Sequence, residues 1–443
     1  MQSPVKEVRT LMMILRSLVL SALIAITPAI AQDLSRQDVI TETLGPYTGP
    51  INHAVDCSTM TGKVLCGYQG WHGTPTDGLG RGWYHWVLGG EFGPGNCKFD
   101  MWPDVSELDP DEKYETPFKH ADGSPAYLYS AFNKKTVLRH FKWMADYGID
   151  GVFVQRFITE TLHPVGLRQW NTVLASCREG ANTYGRTYAV MYDLSGLGEN
   201  SIQKVIDDWK LLVDRMHITE DPAYLHHNGH PVVTVWGFGF NDGRKYTLDE
   251  GLRLVDFFKN DPKYGHNTVM LGVPAYWRTL DQDTLKDPKL HELLLAADVV
   301  SPWMVGRFQT IPQITGYIAN RGAKDIAWCK THGKDFMPVV FPGFSWHNMF
   351  PKSPQNQIPR QDGKFLWAQY VAWQKAGATM MFQAMFDEVD EGTAIYKVTN
   401  DPPVGASKFL TFDGEPSDFY LKLVGIATQN LRGKAALPET LPR

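Results

Sequence analysis

Residues 151–192 read GVFVQRFITETLHPVGLRQWNTVLASCREGANTYGRTYAVMY. Two runs, 151–156 and 187–192, are rich in the β-branched and aromatic residues that suit strands. Neither run alternates cleanly between apolar and polar, which is the pattern of a strand covered on both faces. The stretch 166–180 between them carries apolar residues at helical spacing. Strand, helix, strand in this order is the unit of a parallel sheet. Worked outward, the unit repeats. Further strand candidates lie at 64–70, 232–236, 268–273, 299–302, 337–341 and 379–384. Amphipathic segments fall at 134–147, 202–216, 248–259, 283–296, 311–332 and 364–376, and a last one at 416–431. Eight such units are the count of a TIM barrel. The expectation is therefore α/β, a single (β/α)8 barrel over 64–435, with 379–384 paired to 64–70, because a closed barrel makes its first and last strands neighbours. An open doubly wound sheet is the alternative. Against it, Gly67-Tyr68-Gln69-Gly70-Trp71 opens a long loop where such sheets often carry a phosphate-binding turn and helix.

That loop, from about 71 to 130, is rich in glycine and proline. A loop so long is either functional or disordered. Trp71, Trp83, Tyr84, His85, Trp86 and Trp102 argue against disorder, since disordered segments are poor in aromatics. At the other extreme of the chain, residues 436–443 read as a tail. Before the barrel, Lys6, Arg9 and Arg16, a short apolar run at 18–26 and Ala29-Ile30-Ala31 have the order of a signal peptide cleaved after Ala31. Residues 32–63 would then be an N-terminal extension, and the protein periplasmic or secreted, with no membrane insertion after cleavage. The net charge of −5 and the lack of a basic stripe argue against nucleic acid as a partner. Five cysteines without C-x-x-C spacing argue against a structural zinc site. One disulfide, Cys57 or Cys66 with Cys97, is expected in an oxidising compartment, with Cys177 and Cys329 as buried thiols.

In a TIM barrel the site lies at the C-terminal ends of the strands. Those ends supply Tyr68, Gln69 and Trp71; Gln155 and Arg156; Tyr192 and Asp193; Trp236 and Phe238; Tyr276 and Trp277; Trp303; and Phe344, Ser345, Trp346 and His347. The eighth ends in Phe386-Asp387-Glu388-Val389-Asp390-Glu391-Gly392-Thr393. Aromatic rings stack on the flat C–H faces of sugars, so this lining suits an oligosaccharide or polysaccharide. Four carboxyls within five residues suit glycosidic cleavage, which needs one carboxyl as acid and another as base or nucleophile. Glu388 and Glu391 are the leading catalytic candidates. Trp71, His85, Trp86, Gln155, Arg156, Tyr192, Asp193, Trp236, Tyr276, Trp303, Trp346, His347 and Tyr68 are candidates for substrate binding. Asp193 could equally cap the next helix, and Arg156 could pair with a carboxylate or an acidic sugar. His226-His227-x-x-His230 looks metal-like but precedes strand four, at the stability face, so neither metal nor cofactor is expected.

Glu388-Val389-Asp390-Glu391-Gly392-Thr393 fits the E-x-x-E-G-T motif closing the barrel of glycoside hydrolase family 99, the endo-α-mannosidases and endo-α-mannanases. Gly67-Tyr68-Gln69-Gly70-Trp71, Trp83-Tyr84-His85-Trp86 and Asp150-Gly151-Val152 are similar to that family too. Family 71, the α-1,3-glucanases, is a more distant relative. The resemblance spans most of the barrel and is sharp at its two ends. It implies a retaining hydrolase of α-linked glycan. Glu391 would be the general acid/base, and Glu388 the base on the sugar 2-OH, through a 1,2-anhydro sugar. Asp387, Val389 and Asp390 depart from the family, where aromatic residues, His and Asn are usual, and either Asp could itself be catalytic. Two other readings share the aromatic lining: a non-catalytic carbohydrate-binding protein on a degenerate barrel, and a glycosidase of other specificity such as a glucanase or arabinofuranosidase.

Overall fold

The computed structural model describes residues 34–442, of which those from Arg36 onward form one compact unit. The expected signal peptide and its cleavage point lie outside the described residues. Strand β1 (Val64–Tyr68) is followed by a hairpin, β2 (Tyr114–Lys119) and β3 (Pro125–Leu128). Then come β4 (Gly151–Phe157), β5 (Thr187–Asp193), β6 (His226–His227), β7 (His230–Trp236), β8 (Thr268–Val273) and β9 (Val299–Pro302). The last are β10 (Asp335–Phe336), β11 (Val339–Val340) and β12 (Met381–Gln383). The main sheet is ordered β10-β9-β8-β7-β5-β4-β1-β12-β11. Its two outermost pieces, β10 and β11, are halves of one strand parted by Met337 and Pro338. The Met337 N–H reaches Val300 O at 2.9 Å and Pro338 O accepts from Phe382 N–H at 3.0 Å. Counted so, eight parallel strands close on themselves. β1 pairs with β12 at Val64↔Met381, as closure requires.

The helices are α1 (Arg36–Thr43), α2 (Lys134–Tyr147), α3 (Pro164–Tyr184), α4 (Gln203–Leu211), α5 (Leu248–Asn260), α6 (Lys289–Ala296), α7 (Ile311–Tyr317), α8 (Ala323–Thr331), α9 (Lys364–Lys375) and α10 (Phe419–Leu431). Local chemistry sets their ends. Asn133 accepts from Lys135 N–H at the start of α2, and Gly148 stops it at φ 76°. Thr247 and Glu250 form a capping box on α5. The segment expected as one helix at 311–332 is split by a wider turn at Ile318–Gly322. The helix expected from 283 begins only at Lys289, because Asp283 is occupied with Ala275 and Tyr276 N–H and with Arg307.

Inside the barrel Phe153 lies flat on Phe382, centroids 5.6 Å apart. Gly67 has no room for a side chain: a Cβ there would fall 2.2 Å from Met385 Cε. At the opposite end, the Asp150 carboxyl accepts from Val64 N–H at 3.1 Å and pairs with Arg432, tying β1, β4 and α10 together. The family-like Asp150-Gly151-Val152 is thus a fastening of the stability face. The loop after β1 is ordered by its own hairpin. It is also zipped to the excursion after β12 through bridges Met101↔Leu410, Pro103↔Val398 and Lys119↔Val404. The expected disulfide does not form, and all five cysteines are free. Cys66 is inside β1, Cys97 sits against Ser407 above the barrel and Cys57 against Pro222 O below it. Cys177 and Cys329 are buried thiols, as expected. No helix among the described residues is long and apolar enough to cross a membrane.

Candidate active site

The polypeptide leaves the barrel wall just after β12. Phe386 N–H still reaches Gly67 O at 2.8 Å, and the Asp387 carboxylate accepts from Gln69 and Gly70 N–H, both at 2.8 Å. Asp387 therefore rivets the end of β12 to the end of β1. Burial pushes its carboxyl up to about 7, against the pull of those two donors. Residues 388–394 then turn tightly, with Glu388 O accepting from Thr393 and Ala394 N–H at 3.1 and 2.8 Å. Arg360, sealed beneath the turn, donates to Gly392 O and Ala394 O at 2.8 and 2.6 Å. Gly392 has φ 64°, and a Cβ on it would lie 2.9 Å from Ser345 N. Gly392→Ala should displace Glu391 and, in protein that circular dichroism shows to be folded, cut kcat/KM by about 10²-fold, as misplacement of a reacting group by an ångström can do.

This turn brings the two glutamates to one place by breaking the alternation of a strand. Glu388 is 4% exposed. Its Oε1 accepts from Gln69 Nε2 and its Oε2 from Thr393 Oγ1, both at 2.9 Å. Glu391 is half-buried, and its carboxyl has no hydrogen-bond or ion-pair partner among the described residues. Burial, then the facing Glu391 and Asp390, push Glu388 well above the usual carboxylate range. Burial, then Asp390, push Glu391 up to about 7. Two such neighbours share a proton, and donors decide where the negative charge rests. The Gln69 and Thr393 donors favour the charge on Glu388, while its burial and the neighbouring carboxyls oppose it. Asp390 is the contrast. Burial opposes its ionisation, yet Lys98 outweighs that and holds it below the carboxylate range. Lys98 Nζ is 2.9 Å from Asp390 Oδ2.

Aromatic rings gather at the same ends of the strands. Trp71 lies on His85 at 4.0 Å and beside Phe157 at 5.5 Å. Trp236 meets Trp303 edge-on at 5.7 Å, and Trp303 meets Phe382 at 6.2 Å. Trp346 packs with Phe344 and Phe350, directly after Ser345, whose N–H holds Glu391 O at 2.9 Å. The half-exposed His347 donates its backbone N–H to Asp100 and its Nδ1–H to Ser353 O, both at 2.7 Å. Asp193, level with Trp236 on the inner face, accepts from Ser195 N–H at 2.7 Å. That makes a local turn and not the helix cap, since α4 starts only at Gln203. Gln155 points inward one layer below, level with Met191.

Five expected site residues do not line the mouth. Tyr68 turns outward to bond His140 at 2.9 Å, and Trp86 is sealed in the first loop on His72. Tyr276 lies against Tyr317 and under Arg321, in the helical layer. Arg156 and Tyr192 share an outward row: both bond Asp208, Arg156 in a fork at 2.6 and 2.7 Å and Tyr192 at 2.8 Å. Arg156→Met should leave Asp208 buried and unpaired, costing about 3–5 kcal/mol in urea unfolding while kcat/KM of the folded fraction stays unchanged. His226 and His227 are engaged apart, with Tyr224 O and with Thr59, Met60 and Asp335. Lys98 and Asp100 were not read from the sequence, and Gln69 and Thr393 were read at their strand ends without a role. For Gln69 the signal was present, one position beyond the outward Tyr68 in an alternating strand.

The architecture recurs in solved structures of other chains. Two of them are structures of the family GH99 endo-α-mannosidase of Bacteroides thetaiotaomicron, one in complex with bis-tris-propane. They are 16% and 17% identical, with TM-scores of 0.61 and 0.60. The match covers 85% of this chain and 100% and 99% of theirs. At that identity the likeness is one of fold. No protein-family profile matches the sequence, and no curated protein sequence matches it.

Proposed function

We propose that this protein is a retaining glycoside hydrolase that acts on α-linked glycan, mannose-containing chains first among the substrates to be tried. The observation that carries this reading is the unequal dressing of two neighbouring glutamates. Glu388 is held by two donors and Glu391 by none, at the aromatic-walled mouth of a barrel. In the proposed reaction Glu388 takes the proton of the sugar 2-OH as O2 attacks C1. Glu391 gives its proton to the departing oxygen. Water, deprotonated by Glu391, then opens the 1,2-anhydro sugar at C1, and Glu388 returns its proton to O2. Two inversions at C1 give net retention. With the signal-peptide-like order of its first 31 residues, we place the protein outside the cytoplasm; N-terminal sequencing of exported protein should begin at Gln32.

The test is a panel of α-mannan, α-glucan and N-glycan oligosaccharides given to the mature protein, with products read by anomeric NMR. Hydrolysis with retention supports the reading. Inversion would remove the anhydro-sugar route. Binding of a glycan with no hydrolysis of any would make the chain a carbohydrate-binding protein.

A further inference from the structure

The long loop after β1 reaches into the centre with Lys98. Lys98 Nζ lies 2.9 Å from Asp390 Oδ2 and 3.0 Å from His85 Nδ1, with its side chain 10% exposed. Asp390 is nearly sealed, and its Oδ1 has no hydrogen-bond partner among the described residues. The segment is fixed from both sides: Lys98 N–H donates to Trp86 O at 3.0 Å, and Asp100 N–H to Val389 O at 3.1 Å. An ammonium group has donors only. His85 Nδ1 must therefore be the bare, accepting nitrogen, and the neutral ring carries its hydrogen on Nε2. That nitrogen has no hydrogen-bond partner among the described residues, and the ring keeps a fifth of its surface open (20%) while stacked on Trp71.

Resting on the glycosidase reading above, we propose that Lys98 is a positioning residue of the catalytic centre: by donating to Asp390 and His85 together, it fixes Asp390 as the anion beside Glu391 and His85 as an Nε2–H donor for a substrate hydroxyl. Asp390 faces His72, His85 and Lys98 from the loop, Asp387, Glu388 and Glu391 from its own turn, and Tyr396 from the returning chain. Lys98 is the one fixed cation in that set. Burial lowers His72 and His85, so neither supplies a positive charge near neutral pH. A charged Asp390 next to Glu391 favours the protonated acid, in line with the rise of Glu391 to about 7.

The experiment is a titration of the full chain carrying 13C at its glutamate carboxyls, with Glu391 assigned by the loss of its signal in Glu391→Gln. Asp390→Asn leaves Lys98 uncompensated and should move Glu391 titration down by about one pH unit or more. Adding Lys98→Met to Asp390→Asn should take back at least half of that shift. In the wild type, 15N spectra should show His85 as the Nε2–H form. In Lys98→Met its Nδ1 is free to carry a proton toward Asp390, and the Nδ1–H form should appear. A Glu391 titration that Asp390→Asn leaves within about 0.3 unit overturns the proposal, as does an Nδ1–H His85 in the wild type. The tautomer readout stands if Asp390→Asn does not fold. None of these signals needs turnover. Both shifts present in a chain that hydrolyses no glycan would uphold the Lys98 assignment and sink the glycosidase reading instead.

Discussion

Glu388→Gln should abolish hydrolysis of natural glycans and of activated aryl glycosides alike. The loss should reach the upper end of the roughly 10²–10⁴ that a positioned acid or base contributes. The proposed base acts in the step that breaks the glycosidic bond, so a better leaving group cannot stand in for it. The amide keeps the size of the carboxylate, its oxygen can still accept from Gln69 and its NH2 can donate to the Thr393 hydroxyl, so the fold should be retained. Comparing kcat/KM on an oligosaccharide and on an aryl glycoside checks this. An equal and small loss on both would move the role to Asp387, Asp390 or Asp193.

Glu391→Gln should split the two substrates. An oligosaccharide leaves as an alkoxide that needs a proton, so its kcat/KM should drop by about 10²–10⁴. A dinitrophenyl glycoside needs little protonation and should lose far less in the first step. The pH profile gives a second handle. Glu391 works as an acid only while protonated, so activity should fall as pH rises through its value of about 7, and it should fall on the acid side too, as the Glu388 base takes up a proton. The Gln variant should lack that alkaline limb. A limb that survives in Glu391→Gln would belong to another group, with Asp387, also pushed up to about 7, the first to test.

The barrel was legible because each strand is a short apolar run between amphipathic helices, and all eight runs recur in the structure within a few residues. What could not be read was which side each strand residue faces. Strands covered on both faces carry apolar side chains on both, so the sequence offers no polar side to set the alternation. Tyr68, Arg156 and Tyr192 were read together with Gln69, Gln155 and Asp193 from the same strand ends, but the first three face outward and the last three inward. Arg156 is deceptive for a further reason: its buried charge is matched by Asp208, 52 positions away on α4, a pairing that no local pattern announces. The E-x-x-E turn was legible because its chemistry is local. Lys98 was not, since it reaches Asp390 from a loop with no periodicity.

The contacts that dress Glu388 and Asp387 join residues 319 and 318 positions apart, and those of Asp100 with Ser345 and Lys98 with Asp390 are comparably distant. During synthesis, the first loop leaves the ribosome long before the turn it must meet. No early-emerging portion can hold a working centre, and contacts of such long sequence separation form slowly. A protease cut in either loop would likewise separate the donors from the carboxyl they hold while leaving the barrel wall intact. On the proposed reading, catalytic competence would therefore be a late event in the life of this chain, and one that a single nick could end.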